Sequence, residues 1–203
     1  MITIVDYGLG NIRAFANIYN HLGIDFRIAK CESDLLSATS LILPGVGSFD
    51  WAMTSLHSSG MLPLLNELVL VRQLPVLGVC VGMQIMADRS DEGQCPGLGW
   101  IRGEVKRFNC TLSTSVLRLP HMGWNDVYHQ DHPVFSNIIN PRFYFLHSYF
   151  FDPHSTDQVL SESEYGIRFA SSVHSSHIIG VQFHPEKSHH WGIQLLKNFA
   201  LLS

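Results

Sequence analysis

Apolar and polar positions alternate between two periods in the first half of the chain. Short, nearly continuous apolar runs at 2–8 (ITIVDYG), 25–30 (DFRIAK), 40–49 (SLILPGVGSF) and 74–80 (LPVLGVC) predict strands. Runs of this kind suit strands covered on both faces. Between the first two runs, Ile12, Phe15, Ala16, Tyr19 and Leu22 recur at helical spacing and Gly23 closes the pattern, which predicts a helix. Residues 51–73 predict a helix in two pieces, broken around Gly60 and Pro63. The stretch 82–90 (GMQIMADRS) predicts a further helix opening directly after the fourth strand. Strands alternating with helices predict an α/β fold, an open and mainly parallel central sheet flanked by helices.

The pattern changes near Gly99. Shorter β-type segments follow at 99–108, 115–125, 142–151 and 169–186, separated by turns, and they predict added antiparallel strands in the C-terminal half. An apolar periodic stretch at 192–203 predicts a closing helix.

Composition adds exclusions. The 203 residues suit one domain with a sizeable core. Hydrophobic content of 46% with 15% charged residues is that of a globular chain. A formal net charge of -4 speaks against nucleic acid or an anionic membrane as the main partner. No apolar run approaches the ~20 residues of a membrane span. The N-terminal MITIVDYGLGN has no basic region and reads as a first strand, not a signal peptide. Cys31, Cys80, Cys95 and Cys110 form no C-x-x-C pair, which predicts reduced thiols in a cytoplasmic protein.

In open α/β sheets, sites form at the carboxyl ends of strands. Three motifs are predicted to end strands. The first, GVCVG, places Cys80 between Gly78 and Gly82, the form of a nucleophile elbow with cysteine in place of serine. Such a turn is sharp enough that side chains two positions to either side would collide. It also sets the sulfur at a helix N-terminus, whose positive end favours the thiolate, and leaves the Val81 N–H to hold an oxyanion. A small core cysteine would fit the same glycines. The second motif, FHPE, supplies what a core cysteine does not need: His184 as base and Glu186 as its orienter, with Pro185 fixing the backbone between them. The third, PGVG at 44–47, offers Gly47 as a second oxyanion donor, since glycine permits the backbone angles that turn an N–H toward a ligand. The glycines of DYGLGN lack the third glycine of a dinucleotide loop. His184, His189 and His190 match no metal-ligand template, so no metal is predicted.

The motifs GVCVGMQ and GVQFHPEKS resemble those of the class I (triad) glutamine amidotransferases. DYGLGN, LPGVGSF, LPHMGWN, FYFLHSY and GVQFHPEKS, in this order from residue 6 to residue 188, resemble one branch, the glutaminase subunits of imidazole glycerol phosphate synthase. The resemblance implies a single glutaminase domain over 1–203 with no cofactor. It implies that Cys80 attacks the side-chain amide of L-glutamine, His184 moves the proton and Glu186 orients His184. Val81 and Gly47 would hold the oxyanion, and Gln84, Glu92, Ser148 and Tyr149 would bind glutamine. Trp124, Asn125, Tyr144 and Lys187 would lie at the interface with a HisF-type (β/α)8 cyclase. That partner would receive the ammonia and make imidazole glycerol phosphate and AICAR in histidine biosynthesis. Val81 stands where the family usually has Leu; the role belongs to the backbone, so the chemistry tolerates the change. A paralogous set, feeding ammonia to a HisF-like synthase for surface-polysaccharide amidino sugars, shares the same catalytic residues and stays open as the alternative acceptor.

Overall fold

The computed structural model describes residues 1–109 and 117–202, so Cys110 and the start of the 115–125 segment lie outside the described residues. The parallel half is built from β1 (Ile2–Val5), α1 (Ile12–Leu22), β2 (Phe26–Ala29), α2 (Glu32–Leu35), β3 (Ser40–Gly45), α3 (Phe49–Ser58), α4 (Leu62–Asn66), a π-helical turn Glu67–Val71 and β4 (Val76–Cys80). Then come α5 (Val81–Gln84), β5 (Arg89–Ser90), β6 (Gly103–Arg107), β7 (His121–Asp126), β8 (Tyr128–His129), β9 (Arg142–His147), β10 (Tyr149–Pro153), β11 (Val159–Tyr165), β12 (Ile167–Ser175), β13 (Ile178–Val181) and α6 (His189–Ala200).

Among the described residues, eleven strands form one sheet in the order β2-β1-β3-β4-β13-β12-β10-β6-β5, with β11 pairing β12 and β8. The first five are mutually parallel. β12 and β10 run antiparallel to their neighbours. The architecture is the α/β fold that the alternation predicted, with its antiparallel extension. β1, β3, β4 and β13 are buried at every position, which requires cover on both faces. α1 supplies part of that cover through Phe15, Ala16 and Tyr19, and the Tyr19 hydroxyl donates to the Leu196 carbonyl of α6 at 3.4 Å.

Four elements depart from the pattern-based reading. The helix expected over 82–90 lasts only from Val81 to Gln84. Its next turn fails because the loop after it takes the carbonyls: Leu98 donates to Ile85, Ile101 to Met86 and Gly99 to Ala87, at 2.8, 3.1 and 3.0 Å. β11 is an added strand in a stretch where no strand was read. β7 and β9 leave the main sheet and pair with each other as a separate two-stranded ribbon.

The elbow packs backbone against backbone. A Cβ on Gly82 would overlap the carbonyl oxygen of Leu43, and its carbon would lie 2.9 Å away. A Cβ on Gly78 would come within 2.7 Å of the Gly82 oxygen. Gly82→Ala is therefore expected to destabilise the chain by ~1–3 kcal/mol or more, the usual cost of overpacking. Equilibrium denaturation checks this, and an unchanged midpoint would contradict the packing argument.

Candidate active site

The carboxyl ends of three adjacent parallel strands meet here. β4 ends on Cys80, β13 runs on through Gln182 and Phe183 to His184, and β3 runs on through Val46 to Gly47. Cys80, His184, Val46 and Gly47 line one cleft of about 280 Å³, together with Val81, Gln84 and Glu92. Cys80 adopts φ 56 and ψ -114, a region that a non-glycine residue holds only where its surroundings impose it.

His184 is fixed at both ends. Its backbone N–H donates to the Tyr144 carbonyl at 2.8 Å. Its own carbonyl accepts from the Ser188 hydroxyl at 2.6 Å. Nδ1 pairs with Glu186 Oε1 at 2.9 Å, with side-chain exposures of 4% and 2%. That leaves Nε2 for Cys80, which lines the same cleft. Burial alone would drive the imidazolium to release its proton. The hydrogen bonds to Cys80 and Glu186 and the charge each carries outweigh burial and push the His184 pKa up to about 10.

Val81 and Gly47, the two residues expected to hold an oxyanion, both line this cleft. Val81 begins α5, so its N–H has no partner within the helix. With only four residues in α5, the helix-dipole support expected for the thiolate shrinks to that of a single turn. Gly47 sits at φ 91, where a side chain would be strained. The strand leading to it is braced by Tyr7, whose hydroxyl donates to the Pro44 carbonyl at 2.7 Å. Burial, and then the charge of Cys80, hold the phenol well above its usual range, so it stays a donor.

The cleft also collects the residues assigned to glutamine: Gln84, Glu92, Ser148 and Tyr149. Gln84 Nε2 donates to the Tyr149 carbonyl and to Gln182 Oε1, each at 3.0 Å. Glu92 Oε2 accepts from the Phe49 N–H at 2.8 Å, which ties its loop to the start of α3. Of the interface assignments, Trp124 and Tyr144 are opposite each other on the β7–β9 ribbon, and Lys187 lies 5.7 Å over the Tyr144 ring. Trp124 is exposed, as are Met122 and Leu146, which face each other on the same ribbon. Asn125 turns inward instead: its amide donates to the Glu164 carbonyl at 2.9 Å. His184, His189 and His190 are not brought together, since His189 stacks on Trp124 at 5.2 Å and His190 packs on Trp191.

Sequence reasoning missed a buried histidine pair. His121 Nδ1 and His147 Nε2 are 2.9 Å apart, and His147 Nδ1 is 2.8 Å from the Tyr149 carbonyl. The signal was present in RFYFLH, where Phe143, Phe145 and His147 share one buried face. Burial lowers the His121 pKa to about 4 and the His147 pKa to about 3. Gln182, fully buried beside Cys80, carried no pattern signal.

The model of the family described as glutamine amidotransferase class-I matches residues 3–202. The imidazole glycerol phosphate synthase subunit HisH of Leptospira interrogans is 50% identical over 204 residues, covering 100% of both chains. The protein of that name from Bdellovibrio bacteriovorus is 50% identical over 206 residues, covering 98% of this chain and 99% of its own. Among solved structures, a glutamine amidotransferase superposes with a TM-score of 0.76 at 19% identity, covering 99% of this chain and 97% of that one. The structure of PurLQS from Thermotoga maritima gives 0.72 at 14% identity, covering 99% and 97%. At these identities the likeness is one of fold.

The histidines set opposite pH limbs. His184 binds its proton up to about pH 10 when folded, against 6.5 as its ordinary value. Its stabilising contribution is thus complete below 6.5 and lost as pH rises through about 10. His121 and His147 stay neutral when folded down to about 4 and about 3, so the unfolded chain takes up their protons first and stability is lost as pH falls from 6.5 toward those values. Denaturation midpoints measured across pH check this. His184→Asn is expected to flatten the alkaline limb, and an alkaline slope equal to wild type would contradict the assignment.

Proposed function

Because the chain belongs to the class-I glutamine amidotransferase family, we propose that it is the glutaminase subunit of an imidazole glycerol phosphate synthase and acts in histidine biosynthesis. The observation that carries the reading is that Cys80 and His184 line one cleft while Glu186 holds His184 Nδ1, which leaves Nε2 for the sulfur.

The reaction follows from that geometry. The Cys80 proton rests on His184, so the sulfur is a thiolate, and it attacks the side-chain carbonyl carbon of L-glutamine. The carbonyl oxygen becomes an oxyanion, held by the N–H groups of Val81 and Gly47. His184 then gives its proton to the departing nitrogen, the C–N bond breaks, and ammonia leaves a γ-glutamyl thioester on Cys80. Water, deprotonated by His184, attacks the thioester, and glutamate leaves with the thiolate restored. Gln84, Glu92, Ser148 and Tyr149 hold the substrate in the cleft. No cofactor is needed for any step.

The released ammonia passes to a HisF-type (β/α)8 cyclase, which makes imidazole glycerol phosphate and AICAR. The exposed ribbon face around Trp124, with Tyr144 and Lys187 beside it, is the surface assigned to that partner, with Asn125 turned inward beneath it; a desolvated Trp is a frequent anchor in interfaces. The relatives named above bear the imidazole glycerol phosphate synthase name and none names an amidino-sugar synthase, so the histidine-pathway acceptor is preferred.

Glutamine hydrolysis by the purified chain is expected to be slow alone and to rise when the cyclase and its nucleotide ligand are added. Cys80→Ala is expected to abolish glutamine use while the complex still synthesises imidazole glycerol phosphate from added ammonia. Glutamine turnover surviving in Cys80→Ala would overturn the nucleophile assignment. No rise with the cyclase would overturn the partner.

A further inference from the structure

A run of buried hydrogen bonds with a single possible direction leads from the ribbon to the nucleophile. His147 Nδ1 faces the Tyr149 carbonyl at 2.8 Å. A carbonyl only accepts, so Nδ1 carries the hydrogen and Nε2 is bare. His121 Nδ1, 2.9 Å from that bare nitrogen, must therefore donate to it. His121 Nε2 is then an acceptor, and the Asn125 amide nitrogen stands 3.3 Å away to donate. The Tyr149 carbonyl also accepts from Gln84 Nε2 at 3.0 Å, and the second hydrogen on Gln84 Nε2 goes to Gln182 Oε1, also at 3.0 Å. Gln182 thus has its oxygen committed to Gln84, and its Nε2 is turned to Cys80 Sγ at 3.9 Å. A flipped Gln182 amide would set its nitrogen against the Gln84 nitrogen and its oxygen against the sulfur. The main-chain N–H of Gln182 donates to the Ser171 carbonyl at 2.9 Å, which fixes its backbone, and the side chain is fully buried.

The role of the sulfur depends on where its proton sits. As a thiol it donates to the Leu146 carbonyl at 3.9 Å. With the proton on His184 it can only accept, and the Gln182 N–H is a donor already facing it. The geometry points to Gln182 as a further residue of the reaction: a buried amide, aimed by Gln84, that donates to the Cys80 thiolate. The inference rests on Cys80 being the nucleophile. The titratable groups that face Cys80 are His184 with Glu186 behind it, Tyr7 from beyond β1, and His147, Glu92 and Lys187 in the cleft wall.

The test is the pH dependence of Cys80 alkylation by iodoacetamide in the full chain. Mass spectrometry reads the Cys80 peptide apart from those of Cys31, Cys95 and Cys110. Gln182→Leu is expected to raise the midpoint by about one pH unit, the loss of one hydrogen bond to a charged acceptor. In the complex it is expected to lower kcat about tenfold while glutamine KM stays within about twofold, since the lost contact is made to the nucleophile and not to glutamine. Gln182→Glu, which puts an anion against the sulfur at nearly constant shape, is expected to raise the midpoint further. Circular dichroism establishes that each variant is folded, and Gln182→Met replaces Gln182→Leu if the latter is not. A wild-type midpoint and wild-type kcat in folded Gln182→Leu or Gln182→Met and in Gln182→Glu would overturn the inference. Failure of the glutaminase reading would look different: the wild-type complex would not turn over glutamine.

Discussion

The site depends on one close approach, the Leu43–Pro44 backbone of β3 resting against Gly82 in the elbow with no room for a side chain between them. This contact does two things at once. It holds Cys80 at a backbone angle that a free chain would leave, because β3 and β13 confine β4 on both sides. It also brings the continuation of β3, and so Gly47, to the same side of the sulfur as the Val81 N–H. A parallel register delivers three strand ends to one edge; the missing Cβ atoms let the backbones of β3 and the elbow close on each other.

Much of this was legible because the requirements are local. Continuous apolar runs identify buried strands, and Gly78-x-Cys80-x-Gly82 and His184-Pro185-Glu186 carry their chemistry within a few residues. What was not legible depends on partners distant in sequence. The short life of α5 is decided by Leu98, Gly99 and Ile101, which take the carbonyls its second turn would have used. β7 and β9 read as ordinary hairpin strands, and nothing in their alternation says that they pair with each other apart from the main sheet. Glu92 looked like a substrate residue; its other task, accepting from the Phe49 N–H at the start of α3, joins positions 43 apart.

Three histidines near the cleft show how far environment overrides residue type. His147 and His184 are both buried, and burial pushes both toward the neutral form. His147 meets a carbonyl and another imidazole and has no carboxylate partner, and the charge of His184 adds to burial, so the ring is a fixed, uncharged donor and acceptor. His184 meets Cys80 and Glu186, whose negative charges reverse the outcome. A proton-transfer group and a purely orienting pair can therefore sit in one small volume without exchanging roles. The neutral pair is also what allows the hydrogen bonds leading to Gln182 to keep one direction, since a protonated His121 or His147 would present two donors and break the sequence of donors and acceptors.

The ribbon and the cleft are mechanically one object. Tyr144 and Leu146 stand on β9, facing Trp124 and Met122 across the exposed ribbon. The Tyr144 carbonyl receives the His184 N–H, its N–H goes to Ser188, and the Leu146 carbonyl receives the Cys80 thiol. A shift of β9 by a few tenths of an ångström thus alters the placement of both reacting side chains with no intervening element. The strand is held against the rest of the chain by these bonds, by ring contacts such as Phe143 on Phe183 at 3.9 Å and by its partner strand's bond from Asn125 to the Glu164 carbonyl, so the turn that carries His184 is one of the supports beneath the ribbon face. That is the physical reason for assigning partner docking and glutamine chemistry to a common strand: contact on the outer face and alignment at the inner face are set by the same backbone.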